Sequence, residues 1–318
     1  MSARRTRLLA APLLALLVAP AARAEHGFIL PSSTALAGDG NVVTFDAAGS
    51  DHVFFFDHRP LQLATIAVLR PDGSAGTPYN TLQGRFRSVF DLKLDQQGTW
   101  KVASVQTMIG GTFKLNGEER RVGGRGGPPR PQGGIGGPGG AGPDQRGGGD
   151  RPGGMADGRG PGAPGGDGPR RPPPVAFEDM PAEATDVHLI EDVRRAETFV
   201  TAGAPTTTVF TPTGKGLELD PITHPNAAAA GETARFRFLI DGKPASGLKV
   251  TVIPGGDRYR DEAGTIALTS GTDGIVAIRW PAAGMYWLGV EAEDRHPAQP
   301  RAETRRMSYA ATIEVMTP

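Results

Sequence analysis

Residues 123–174 hold 22 glycines and 12 prolines in 52 positions, and no valine, leucine, phenylalanine or tyrosine. A stretch with so little to bury cannot offset the entropy of ordering its backbone, so it is expected to be a disordered spacer. Gly134-Ile-Gly-Gly-Pro-Gly139 matches a dinucleotide-binding glycine pattern in form only, since no strand leads into it and no helix follows. Any core must therefore come from the flanks.

Both flanks carry strand patterns. Asn41–Asp46, His52–Phe56 and Leu61–Arg70 are short runs rich in valine, phenylalanine, leucine and isoleucine, and Pro71-Asp72-Gly73 closes the last as a turn. Phe86, Phe90, Leu92 and Leu94 then share one parity, Asp95–Gly98 turns the chain, and Thr99–Val105 returns. Beyond the spacer, Val187–Arg195 reads as a short helix or an irregular excursion, followed by strands at Glu197–Ala202 and Thr206–Phe210. Because strands of similar character resume there, the spacer is expected to interrupt one sandwich. From Leu217 onward the pattern is cleaner. Phe236, Phe238 and Ile240 face one way and Arg235 and Arg237 the other, with turns at Asp241–Pro244 and Thr272–Gly274. About seven short strands in about 100 residues, with turns every 8–12, make an immunoglobulin-like pattern without its disulfide. The expected fold is all-β: two antiparallel β-sandwich domains, the second immunoglobulin-like, with a disordered Gly/Pro-rich insertion. The expected segments are 25–122 and 175–215 for the first sandwich, 123–174 for the insertion and 216–318 for the second.

The first 24 residues read as a secretory signal peptide. Arg4, Arg5 and Arg7 make a basic start, Leu8–Pro20 an apolar run of 13, and Ala22-Arg23-Ala24 a cleavage site. A membrane span needs roughly 20 residues, so this run is short for an anchor and no other long apolar run follows. The expected location is the periplasm, with no transmembrane segment after processing. The whole chain has 34 basic and 34 acidic residues; removal of four arginines leaves 30 − 34 = −4. That balance offers no electrostatic reason to bind nucleic acid. The chain has no cysteine, which excludes thiolate metal sites, cysteine nucleophiles and disulfides. No serine-elbow or His-Glu-x-x-His motif is present, so no enzyme is expected.

Five segments carry a resemblance: His26-Gly-Phe-Ile-Leu-Pro31, Asp95-Gln-Gln-Gly-Thr-Trp100, Leu217-Glu-Leu-Asp-Pro-Ile222, Phe238-Leu-Ile-Asp-Gly-Lys-Pro244 and Thr272-Asp-Gly274. Together they resemble a family of periplasmic domains of unknown function, often labelled a substrate-specific region for nickel uptake or a periplasmic component of cobalt transport. The resemblance implies a metal cargo and an inner-membrane metal transporter as partner.

Without cysteine, a transition-metal site here must use nitrogen and oxygen. Cleavage after Ala24 would leave Glu25 as the free amino terminus and His26 as the second residue. The terminal amine, the His26 amide and the imidazole are then three donors for square-planar Ni(II) or Cu(II), with Co(II) admitted by the resemblance. The other reading of His26 is a surface histidine at a frayed end. Asp51-His52 and Asp57-His58 repeat a pair. Six residues of strand span about 20 Å, while ligands of one ion lie about 3–4 Å apart, so the two pairs are expected at opposite ends of a strand. Of these, His58 is the better candidate to join His26, because Arg59-Pro60 marks a loop. His224 follows Asp220-Pro221 near the expected domain boundary, with Glu218 and Asp220 on one strand face; it reads as a ligand or as a cap before Pro225. Trp100, Trp280 and Trp287 are either core or a glycan platform. Two functional classes follow. One is a periplasmic accessory protein that binds or presents nickel or cobalt to an uptake system. The other is a non-catalytic envelope interaction or adhesion module that binds protein or glycan without metal.

Overall fold

A computed structural model of the protein describes residues 25–37, 41–123 and 172–318; the expected signal peptide and nearly all of the Gly/Pro-rich stretch lie outside them. The described chain is built from strands and short 3-10 turns. It divides into two compact units, one of residues up to 107 with 192–296 and 304–318, the other of residues 108–191 with 297–303.

In the larger unit, a five-stranded sheet runs His26–Pro31, Asn41–Ser50, Ser88–Leu94, Tyr79–Gln83, with Arg59–Pro60 beside Asn41–Ser50. Alternation sets its buried face: Val43, Phe45 and Ala47 on one strand and Phe90, Leu92 and Leu94 on its neighbour are buried. Phe45 and Phe90 are register partners and stack with ring centroids 5.2 Å apart. Phe86 falls before this strand and is exposed, because the chain is still turning there; the parity expected to include it begins at Ser88. The opposite wall is contributed by Trp100, Val102, Val68 and Val200.

A four-stranded sheet (Leu217–Pro221, Thr233–Ile240, Lys243–Pro244 and Ile275–Arg279) starts the immunoglobulin-like part. Asp241 and Gly242 have φ of 50° and 76°, which suits the tight hairpin between Ile240 and Lys243. Phe236, Phe238 and Ile278 of this sheet are buried against Val250, Val252, Tyr286 and Leu288 of the facing one.

That facing sheet is shared. Its order is Ile266–Thr269, Lys249–Pro254, Gly284–Asp294, Thr304–Val315, Thr185–Ala202, Gly98–Leu115, Ile66–Leu69, Ala75–Gly76. The first four strands close the immunoglobulin-like core, and the last three, with Thr185–Ala202, close the other. Residues 215 and 216, expected to lie on either side of a domain boundary, fall in one compact unit. The reason is Thr185–Ala202, whose central position joins the two halves edge to edge. It is a strand through Val187–Arg195, where a helix or excursion was expected. Local polarity misled there: Arg195 is largely buried and satisfied by Glu197 at 3.1 Å.

The smaller unit is a hairpin with its own core. Glu118–Val122 folds back on the end of Gly98–Leu115 through Asn116 and Gly117, both at positive φ. Phe113, Val122, Met180, Leu189 and Ala302 form its core. Gly123 N donates to Val175 O at 3.1 Å and Val175 N donates to Arg121 O at 2.9 Å, so the two ends of the Gly/Pro-rich stretch lie side by side. The stretch therefore leaves after Glu118–Val122 and returns at Val175, which bridges Val122. Residues 175–191, expected in the first sandwich, belong to the smaller unit.

Candidate functional site

His26 opens the strand His26–Pro31, paired antiparallel with Asn41–Ser50 so that His26 lies opposite Ser50. Its ring meets the indole of Trp287 edge-on, with centroids 4.5 Å apart. Trp287 is held on two sides. Its Nε1 donates to Gly27 O at 3.0 Å, and the indole lies across Gly289, where a Cβ would fall 1.9 Å from the ring. Small residues beneath, Gly289 and its register partner Ala310, make room for the ring.

Burial lowers the His26 pKa below the ordinary histidine value, against the opposing pull of the Ser50 backbone and the Asp257 and Asp51 charges. The ring is thus neutral at neutral pH. His26 Nδ1 is buried and has no hydrogen-bond partner among the described residues. Glu25, beside it, is held differently. Its Oε2 accepts from Arg59 Nη2 at 2.9 Å and its Oε1 lies 2.6 Å from Nε as an ion pair without a hydrogen bond; the carboxylate rests over Gly49, where any side chain would displace it.

The run Phe54-Phe55-Phe56, expected as strand, is a loop. Ser50 Oγ lies 2.7 Å from both His52 O and Asp57 Oδ1, tying the ends of the reversal together. Phe54 turns the chain at φ 63°. The region is left-handed and costs a residue with a Cβ roughly 1–2 kcal/mol, which its packing offsets: the ring meets Phe28 at 5.4 Å and covers Gly255. His52 and His58 therefore do not sit at the two ends of a strand. His52 Nδ1 lies 3.0 Å from Asp257 Oδ2. His58 is exposed in the loop.

His224 is placed elsewhere and is fully engaged. Its Nδ1 accepts from Asn226 N at 3.2 Å, capping the turn Pro225–Ala227, so Nε2 carries the proton and donates to Thr99 Oγ1 at 2.9 Å. Burial lowers its pKa as well. Glu218 accepts from Thr213, Gly214 and Lys215 amides, and Asp220 pairs with Arg237 at 3.0 Å. Neither carboxylate serves His224. Glu25 and His26 are chain neighbours; the structure does not gather them with His58 and His224. Among the described residues no three His, Cys, Asp or Glu side chains form a group able to hold an ion. Trp100 and Trp280 are core, and Trp287 alone is half-exposed.

Around His26 and Trp287 opens a groove of about 880 Å³, with Arg59, Arg194, Lys249, Glu291 and Arg306 among its walls. Sequence reasoning missed Asp257, the partner of His52; the Gly255-Gly256 pair before it, with Gly256 left-handed at φ 78°, marks a turn and not a carboxylate's role. Among the described residues no helix is long and apolar enough to cross a membrane.

The family described as a domain of unknown function, DUF4198, matches residues 22–294. No curated protein matches the chain significantly in sequence. Among solved structures, the D0-D1 domain of intimin is 11% identical over 92% of this chain and 100% of that one, with a TM-score of 0.21. A DUF4785 family protein from Legionella pneumophila is 7% identical over 82% of this chain and 50% of that one (TM-score 0.20). Escherichia coli alpha-2-macroglobulin activated by porcine elastase is 11% identical over 91% and 31% (TM-score 0.18). These scores are too low to argue from.

Proposed function

Since the chain belongs to the DUF4198 family of domains of unknown function, we propose a function from its site: an exported protein that binds a divalent transition metal at its processed amino terminus. Nickel or cobalt is the cargo, passed to an inner-membrane uptake system, and Cu(II) fits the same donors. The observation that carries the reading is the buried His26 Nδ1 without a partner. Leaving such an atom unsatisfied costs about 1–3 kcal/mol, a penalty that a bound ion would remove.

The donors are the Glu25 amine, the His26 amide and His26 Nδ1, a set that requires no third side chain. His26 lies at the last register pair of its strand, where freeing an amide disturbs the ladder least. The Glu25 carboxylate is committed to Arg59 and is not a donor; it fixes where the amine sits. His58 and His224 have no part in this site.

The test is calorimetric titration of protein that begins at Glu25 with Ni(II), Co(II) and Cu(II), beside His26→Ala and an amino-terminally acetylated form. The expected result is binding tighter than about micromolar, near −8 kcal/mol, lost in both altered forms. Equal binding by His26→Ala overturns the reading. The groove favours a second one, an envelope interaction module: it offers half-exposed Trp287 among charges of both signs. Absence of metal binding would leave that module as the function.

A further inference from the structure

Strand alternation builds the floor of the groove beside His26. Tyr286, Leu288 and Val290 are buried in the immunoglobulin-like core, so Trp287, Gly289 and Glu291 between and beyond them face the other way. On the neighbouring strand Met307 and Tyr309 enter that core, and Ser308 and Ala310 do not. Register sets Ala310 opposite Gly289, Ser308 opposite Glu291 and Arg306 opposite Glu293. All six of these register partners line the groove, which makes this face its floor. At one end the Trp287 indole lies across Gly289. At the other stands the ion pair of Arg306 and Glu293, 3.2 Å apart and both more than half exposed. Six residues of strand, about 20 Å, separate the two ends, and Ser308 leaves the floor between them open.

The lining is charged but balanced. Arg59 is paired with Glu25, Arg194 with Asp192 at 2.7 Å, and Arg306 with Glu293, all of them lining residues. Arg195 is answered by Glu197 at 3.1 Å, which leaves Lys249 and Glu291 as one charge of each sign. A balanced lining has no field with which to gather a polyanion or a polycation. The paired side chains still have donors and acceptors to offer: Arg194 is 41% exposed and Asp192 30%. Ser104 and Gln106 add neutral ones. The floor of glycine, alanine and serine holds no deep apolar pocket of the kind that anchors a peptide side chain.

We propose that the groove is a glycan site, which takes a neutral polyhydroxylated chain with one sugar ring laid on the Trp287 indole. A pyranose has an apolar face of C–H bonds and a rim of hydroxyls that both donate and accept. The indole suits the face, and the part-exposed ion pairs with Gln106 suit the rim. A volume of about 880 Å³ lies within the range of small-molecule clefts, about 300–1,000 Å³. Trp287 is set before a ligand arrives, since its Nε1 donates to Gly27 O and its ring rests over Gly289. Little ordering entropy is then left for binding to overcome. This inference rests on the interaction-module reading above and needs no metal.

The test uses protein that begins at Glu25, without added metal. The probes are short chito-, cello- and malto-oligosaccharides and purified peptidoglycan, with a heparin fragment as the anionic comparison. Calorimetry reads affinity, and tryptophan emission reads contact, since Trp100 and Trp280 are buried and Trp287 is not. Trp287→Leu removes the platform, whereas Ser308→Arg keeps it and fills the floor; thermal melts show whether each variant is folded. The expected result is a dissociation constant below about 1 mM for a neutral oligosaccharide, with a shift in emission. Affinity should fall at least about tenfold in both variants. Retention on peptidoglycan, competed by the soluble sugar, assigns the polymer as the source, and binding of soluble sugar alone assigns a free oligosaccharide. Wild-type affinity in folded Ser308→Arg and Trp287→Leu overturns the groove as the site, and tighter binding of heparin overturns the neutral class. No saccharide bound by wild type overturns the glycan and leaves the module reading to a protein partner.

Discussion

Arg305 shows how single residues carry charge into this fold. It is 8% exposed and lies 2.6 Å from both Asp241 and Asp294. The Arg305 hydrogen bond holds the Asp241 pKa below the ordinary carboxylate value. For Asp294, burial pushes upward, but hydrogen bonds from Arg305 and the His296 backbone win and the net shift is down. Both folded-state values are depressed, so their contribution is complete above about pH 4 and is lost as pH falls through the lower folded values. Arg305→Met is expected to cost about 1–2 kcal/mol at neutral pH, with Asp241 too exposed for more. It should also flatten the loss of stability below pH 4, and urea melts at pH 7 and pH 3 check both. At this scale the sequence was legible where chemistry and position coincide. His26 stood out because it follows an expected cleavage site. Asp257 did not, since its partner His52 is more than 200 positions away in the chain and nothing local marks a carboxylate as half-satisfied.

The strands themselves were mostly readable, because alternation such as Phe236-Arg237-Phe238 survives wherever one face is buried and the other wet. It fails where an element is buried by its neighbours on both sides or bent by one contact. Thr185–Ala202 keeps charged Asp192, Arg194 and Arg195 in a central strand by pairing them locally, so its sequence hides its state. The Phe54 loop hides in the opposite way, as three strand-forming residues bent by Ser50 and by the cover over Gly255. Close backbone approach within the smaller unit gives a sharper test. A Cβ at Gly111, whose φ is 148°, would fall 2.0 Å from His188 O, a backbone atom that no side-chain rotation can clear. Gly111→Val should therefore destabilise by about 2 kcal/mol or more, read as lost amide exchange protection around Phe113 and Leu189. The insertion predicts the reverse. With Gly123 and Val175 hydrogen-bonded to one another's neighbourhood, replacing residues 124–171 by a short glycine-serine loop should leave the melting temperature within a few degrees of wild type. A large fall would mean that the stretch contributes contacts that its composition gives no reason to expect.

For the molecule as a whole, the consequential pairing is a non-local one, Thr185–Ala202 beside Thr304–Val315. Tyr309 donates to Glu197 Oε2 at 2.9 Å across it, and Phe199 packs in the same cluster as Phe236 and Tyr286. Asn226 reaches Phe199 O at 3.0 Å, and Thr201 reaches Asn226 at 2.8 Å. The immunoglobulin-like half thus borrows part of its core and the partner of its last strand from the other half. Repeating strands signalled two sandwiches, but no local pattern states that they share a sheet, since register between distant strands is set by tertiary packing. If the sharing holds, the larger unit unfolds as one cooperative body, and its calorimetric and van't Hoff enthalpies agree. Residues 216–318 expressed alone should then lose the cover over Tyr309 and expose Thr304–Val315 as an open edge, an invitation to aggregation. The fragment is expected to be aggregated or without a cooperative melt, even though its eight strands form the more regular half. A soluble fragment melting near the temperature of the full chain would instead show that the immunoglobulin-like half is self-sufficient, and that the continuous sheet joins two folds that do not depend on one another.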